Sequence, residues 1–229
     1  MIKKYFYNFY LILINLRNYG LYTIFKAFLT ELVYLFKIRD FKSYIHDDEM
    51  TSSYQDTKEK KNYSTQHTAT PYYFLTFVEK FIKKEKIDDF ILVDLGCGYG
   101  RVGKYFSDKF NCLFYGLEIN FNLLKDLISE KKNDKKFYIE HINLKDKVLR
   151  KKIFNKIISH KKKIIIFISD PFDIKTIIEI IDYFKNTKHY IVAINIKEYK
   201  KLLFNYNILN IKKFNIESRH IIFLSKKFK

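Results

Sequence analysis

From Pro71 onward the chain alternates between two hydrophobic rhythms. YYFLTFVEKFIKK (72–84) repeats its apolar residues every three or four positions, the period of a helix with one buried face. Similar stretches follow at 101–110, 121–132, 145–157 and 173–185. Between them stand short, near-continuous apolar runs: FILVDL (90–95), CLFYGLE (112–118), FYIEHI (137–142), KIIIFIS (163–169) and YIVAIN (190–195). Runs of this kind suit strands buried on both faces. Strands alternating with helices predict right-handed βαβ units, hence an α/β fold with a doubly wound, mostly parallel sheet. At the end, YNILNIKKFNI (206–216) and HIIFLSKK (220–227) predict an antiparallel strand pair.

Ahead of this core the pattern changes. The uncharged run from Tyr5 to Leu16 predicts a helix too short to span a bilayer, which takes about 20 residues. It contains Asn8 and Asn15, and no small-residue cleavage site follows. After Gly20, Leu21, Phe25, Phe28, Leu32 and Leu35 recur at helical spacing, with Lys26 and Lys37 left for solvent. This stripe is expected to pack on the main domain; the alternative is that residues 1–38 lie on a membrane surface. In the first 45 residues, seven basic side chains stand against two acidic ones. Residues 46–68 are polar and aperiodic, as in a linker or lid. The expected division is a helical extension over 1–45, a polar linker or cofactor lid over 46–70, and a core domain over 71–229.

Composition narrows the reading further. A chain of 229 residues with 48% hydrophobic content can bury a core of ordinary size. Cys97 and Cys112 have no CxxC partner, which suggests a reducing compartment, and no His/Cys cluster has metal-ligand spacing. The expected location is cytoplasmic, with peripheral contact on the inner face of the membrane as an open extension. The net charge of +18 invites a nucleic-acid partner. However, the chain is rich in Lys, Ile, Asn, Phe and Tyr and poor in Gly, Pro and Ala, the mark of an AT-rich genome at replaceable positions. Arginine is confined to Arg17, Arg39, Arg101, Arg150 and Arg219, so bidentate phosphate or guanine contacts are few.

That bias makes the rare residues informative. Average usage would give roughly 16 glycines; there are six, and ILVDLGCGYGRVG (91–103) holds four of them, Gly96, Gly98, Gly100 and Gly103. They follow the first strand, at the carboxyl ends of the strands where doubly wound folds bind ligands. Gly98, Gly100 and Gly103 fit the dinucleotide pattern GxGxxG, but that register puts Asp94 in the strand, where the pattern wants an apolar residue. Asp94 fits DxGxGxG instead. A strand-end carboxylate suits a ligand with an ammonium group and repels a pyrophosphate. Glu118 ends the second strand, where a carboxylate can accept the hydroxyls of a ribose.

A second cluster is ISDPFD (168–173) after the fourth strand. Pro171 fixes the turn and leaves carbonyls free to accept, Asp170 accepts another hydrogen bond, and Phe172 offers a flat wall. Such a loop can hold an amine with its lone pair aimed at a methyl group. The competing account makes Asp170 the N-cap of the following helix, with Pro171 at its first position.

VDLGCGYGR and GLEIN resemble the first and second motifs of the Rossmann-like class I S-adenosylmethionine-dependent methyltransferases. TPYYFL, DLGCGYGRV, GLEIN and DPF are similar to a bacterial branch related to the non-SET protein lysine methyltransferases. The resemblance covers Pro71 to the C terminus. It implies S-adenosyl-L-methionine as cofactor, held by Thr70, Asp94, Gly96, Gly98, Gly100, Glu118 and Asn143, and catalysis by Asp170, Pro171 and Phe172. Thr68, Thr70 and Pro71 would belong to the segment that covers the cofactor, with Tyr72 or Tyr73 closing it. The branch usually carries Asn where this chain has Asp170, and an adenine-contacting Asp where it has Asn143. The implied activity is methyl transfer to a nitrogen acceptor, a protein lysine first. An RNA acceptor is the alternative, and a catalytically inactive module bound to a membrane or a partner is the second.

Overall fold

The fold is seen in a computed structural model that describes residues 19–38, 70–169, 173–196, 199–214 and 220–226. The predicted helix over Tyr5–Leu16 and the polar stretch 46–68 lie outside the described residues. The described chain runs α1 (Leu21–Ile38), α2 (Tyr72–Lys84), β1 (Phe90–Leu95), α3 (Arg101–Lys109), β2 (Leu113–Glu118) and α4 (Phe121–Lys131). It continues through β3 (Phe137–His141), α5 (Lys147–Ser159), β4 (Lys163–Ser169), α6 (Ile174–Asp182) and β5 (His189–Ile194). A short 3₁₀ turn over Tyr199–Phe204, which the sequence pattern did not suggest, leads to β6 (Tyr206–Lys213) and β7 (His220–Lys226).

Burial on both faces sets the centre of the sheet. All six residues of β1 are buried, and β1 pairs in parallel with β2 on one side and β4 on the other. The strand order is β3-β2-β1-β4-β5-β7-β6, with β7 antiparallel to both of its neighbours. This is the predicted α/β arrangement: a Rossmann-like, doubly wound sheet closed by an antiparallel pair. The order reverses between β1 and β4, so the crevice for a ligand opens at their carboxyl ends.

Alternation along β1 divides the core in two. Ile91, Val93 and Leu95 face a layer with Phe154 and Ile157 of α5 and Ile177 and Ile181 of α6. Phe90 and Leu92 face the other layer, with α2, Phe106 of α3 and Leu124 of α4. Asp94 follows Phe90 and Leu92 on this second face, where an apolar residue would continue the pattern.

The N-terminal helix packs on that same face, but with a different side than the periodicity predicted. Leu21, Phe25, Phe28 and Leu32 point outward, Leu21 at 73% and Phe25 at 58% exposure. The side of α1 nearest the core carries Thr23, Ile24, Ala27, Thr30, Glu31 and Tyr34, all half-buried. Tyr34 stacks on Tyr72 at 5.0 Å between ring centroids, and Glu31 pairs with Arg101 at 3.0 Å. The helix LYTIFKAFLTELVYLFKI is apolar nearly all round, so apolar count does not fix its rotation. Its only carboxylate does, because a buried guanidinium must be paired.

Helix α3 lies unusually close to the sheet. A Cβ on Gly103 would come within 2.6 Å of the Phe114 ring, and that ring is held against Phe137 with centroids 4.4 Å apart. Gly103 is therefore a packing glycine rather than a ligand glycine. Alanine at a helical position gains up to about 1 kcal/mol in propensity, whereas overpacking a tight core costs about 1–3 kcal/mol. Gly103→Ala should lower the unfolding free energy by roughly 1–2 kcal/mol in a urea titration; an unchanged or higher midpoint would show that the contact relaxes freely.

Candidate functional site

The chain leaves β1 through a loop that only glycine can follow easily. Gly96, Gly98 and Gly100 all have positive φ, at 82°, 51° and 72°. The loop is tied to β2 by the amides of Gly96 and Cys97, which donate to the Leu117 carbonyl at 2.8 and 3.2 Å. Gly100 then serves as N-cap of α3, and a Cβ there would also strike Leu127 at 2.4 Å.

Glu118, at the end of β2, organises this loop from the side. Its Oε2 accepts the Gly98 amide at 3.0 Å, while Oε1 accepts the Ile119 and Asn120 amides at 2.9 and 3.0 Å. Burial raises its pKa against the opposing pull of those three amides. Asp94 is 3% exposed, and its Oδ2 has no hydrogen-bond partner among the described residues. Burial, and then the nearby Glu118, push its pKa up to about 8. Between the acids lies Cys97, whose thiol burial and the two carboxyls hold well above its usual range. Gly116, in register with Asp94, makes room for that sulfur: a Cβ there would lie 2.8 Å from Sγ.

Two desolvated carboxyls over a loop of amides form a site for a positively charged or hydroxyl-rich ligand. A ligand cation restores what burial has cost the acids, and a pyrophosphate would add to their repulsion.

The remaining predicted residues divide. Asn143 follows β3 at the same end of the sheet, and its Oδ1 accepts the Lys145 amide at 2.9 Å, closing a local turn. Thr70 is buried, and its carbonyl accepts from Arg101 at 3.3 Å. Tyr72 does not form a lid: it is fully buried, between Tyr34 and the Arg101 guanidinium, which lies 4.7 Å from its ring centre. Tyr73 is half-buried, edge-on to Phe77 at 5.0 Å. Thr68, Asp170, Pro171 and Phe172 lie outside the described residues. The helix cap once open to Asp170 belongs to Asp173, whose carboxylate accepts the Thr176 amide at 2.9 Å and its hydroxyl at 2.8 Å. Ser169, after which the DPF segment begins, sits beside the end of β1, since Ile168 is in register with Leu95.

Two structural residues escaped the sequence reading. Arg101, the first residue of α3, is 5% exposed and pairs with Glu31. Arg150 of α5 is buried, donates to the Leu144 carbonyl at 3.0 Å and pairs with Glu179 at 3.3 Å, tying the Asn143 loop to α6. Their scarcity was the available signal. In a lysine-rich chain, an arginine that persists beside a glycine loop marks a site where a planar fork is needed.

No protein family and no curated protein matches the chain in sequence. Among solved structures it is similar to TrmK of M. capricolum in complex with S-adenosyl-homocysteine, at 19% identity over 70% of each chain and a TM-score of 0.45. It is also similar to an RNA methyltransferase of Salinibacter ruber in complex with S-adenosyl-L-homocysteine, at 12% identity over 69% of this chain and 93% of that one, with a TM-score of 0.46. A fibrillarin/Nop5p complex gives 12% identity, 62% and 73% coverage, and a TM-score of 0.47.

The orphan carboxyl has a measurable signature. Unfolded, Asp94 loses its proton near its ordinary value of 3.8; folded, it keeps the proton up to about 8. Between those values the native state binds the extra proton, so this residue's contribution to stability falls as pH rises. Asp94→Asn removes the titration. Without ligand, the variant should gain on the wild type by roughly 1–3 kcal/mol between pH 5 and pH 8. Parallel stability–pH curves for the two proteins would show that Asp94 is not desolvated.

Proposed function

We propose that the chain is an S-adenosylmethionine-dependent methyltransferase acting on a nitrogen acceptor, a protein lysine first among them. The observation that carries this reading is the buried Asp94 carboxyl beside Glu118, at the mouth of the glycine loop, whose Oδ2 has no hydrogen-bond partner among the described residues. S-adenosylmethionine offers an ammonium and a sulfonium to such acids and ribose hydroxyls to the strand-end carboxylate. Asp94, Gly96, Gly98, Gly100 and Glu118 would hold it, with Asn143 and Thr70 at the margins. When bound it would supply an electrophilic methyl group. The chain's own residues bind and orient. Asp170 and the carbonyls around Pro171 would accept hydrogen bonds from the acceptor nitrogen, which must be free of its extra proton to attack. Phe172 would offer the acceptor a flat apolar wall. Alignment of this kind accounts for most of the acceleration in a direct displacement.

An RNA acceptor is the second reading, favoured by the net charge of +18. A basic concavity of about 640 Å³ at the amino ends of β2 and β3 offers it little support. Its lysines are engaged: Lys37 with Asp108, Lys104 and Lys131 with Glu130, Lys109 with Glu79, and Lys136 with Asn111. For residues 1–38, the outward face of α1 supports contact with an anionic membrane surface; no helix among the described residues is long and apolar enough to cross one. Co-sedimentation with anionic vesicles should be weak, reversed by salt, and lost on deleting residues 1–38; sedimentation unaffected by salt or deletion would remove the membrane reading.

Calorimetry with purified protein decides the donor. Binding of S-adenosylmethionine or its demethylated product, and none of NAD, is expected; the reverse would overturn the assignment. Given binding, Asp170→Ala should leave donor affinity nearly intact but lower turnover on the true acceptor about 10²-fold. Asp170→Asn should retain substantial activity if hydrogen-bond acceptance is the role. Normal turnover in both variants would move the acceptor site elsewhere.

A further inference from the structure

Two helix N-termini flank the donor site, and neither can cap itself. Helix α2 begins after Pro71, which has no side-chain acceptor, and α3 begins after Gly100, which has no side chain. Both ends carry partial positive charge and unmade amide bonds. The Arg101 guanidinium, 5% exposed, lies between them and adds a full charge. One carboxylate meets two of the three, the start of α2 and the guanidinium. Glu31 of α1 accepts the Tyr72 amide, the first of α2, through Oε1, and pairs with Arg101 Nη1 through Oε2 at 3.0 Å. The same Nη1 also donates to the carbonyl of Thr70, at 3.3 Å.

From this convergence we propose that Glu31 is a positioning residue for the donor site: α1 is part of the binding machinery rather than an appendage. It rests on the reading of the glycine loop as a donor site. Glu31 touches no loop residue itself. It acts through Arg101, which follows Gly100 directly, and through Tyr72, which follows the Thr70–Pro71 segment. Without the carboxylate, the buried guanidinium loses its ion pair with α1 and the Tyr72 amide loses its acceptor, which leaves the positive charge at these helix ends less balanced. Arg101 then loses its place, and with it go the start of α3 and the last glycine of the loop. Glu31 is the sole acid of α1, so no neighbour on that helix can substitute.

The test uses the full chain and the demethylated product of the donor as probe. Calorimetry gives its Kd for the wild type, Glu31→Ala and Glu31→Gln, all at a temperature where each is fully folded by circular dichroism. Glu31→Ala should weaken binding about tenfold, within the usual range for coupling between linked sites. Glu31→Gln keeps an acceptor for the Tyr72 amide but not the charge, and should fall between. Amide exchange at Tyr72 and Arg101 should quicken in the same order. Ile177→Val, on the opposite face of the sheet, is the control: it lowers stability and should leave Kd unchanged. Wild-type binding with both Glu31 variants within twofold of it overturns the proposal alone. Tighter binding by Glu31→Ala overturns it too, and would mean that the carboxylate competes for Arg101. Failure of the wild type to bind the probe overturns the donor site itself.

Discussion

The glycine loop keeps its path because a carboxylate from the neighbouring strand holds its central amide. The backbone is left-handed at Gly96, Gly98 and Gly100, and while the Gly96, Cys97 and Gly100 amides bond to carbonyls, the Gly98 amide turns to a side chain. Glu118 supplies what is missing by taking the Gly98 amide with one oxygen and two amides of its own strand end with the other. Each charge-assisted bond of this kind is worth about 1.5–3 kcal/mol. The bonds fix the β1–β2 mouth in the shape a ligand needs, but at an electrostatic cost. A buried acid beside a second buried acid is unstable in its charged form, and the strain appears at Asp94, which keeps its proton to about pH 8. The site thus stores a demand for positive charge.

The same logic, with signs reversed, operates a few residues away. At the start of α3 the positive charge is in excess: two helix ends and a guanidinium converge, and Glu31 arrives from the N-terminal helix to balance them. The two centres differ in one respect. The Arg101 centre is satisfied within the protein, by a residue 70 positions away. The Asp94 centre has an oxygen still waiting.

Much of this was legible in the sequence because glycine, proline and arginine are scarce in it, so that each one present is informative. Gly100, Gly103 and Gly116 stand where a Cβ would strike a neighbour, and Arg101 and Arg150 are buried ion-pair partners. DLGCGYG after an apolar run predicted the loop and its place at a strand end, and Asp94 stood out as a carboxylate where the rhythm asked for an apolar residue. The rhythm also predicted the central strands to within about a residue, since their apolar runs are nearly unbroken, but it ran on past Lys213, where the mostly exposed β6 ends. It erred where faces matter. In α1 nearly every position is apolar, so the stripe through Leu21, Phe25 and Phe28 gave no information about which side would be buried.

By itself, then, the sequence determined the order of the elements, the parallel sheet, the glycine loop and the two strand-end acids, because each depends on residues near one another in the chain. The tertiary structure alone decided how α1 turns, that Tyr72 is core rather than lid, and that Asp173 rather than Asp170 caps α6. It also brought Glu31 to Arg101. A charge pairs with whatever partner folding carries within a few ångströms, and partners 70 residues apart leave no periodic trace in a sequence.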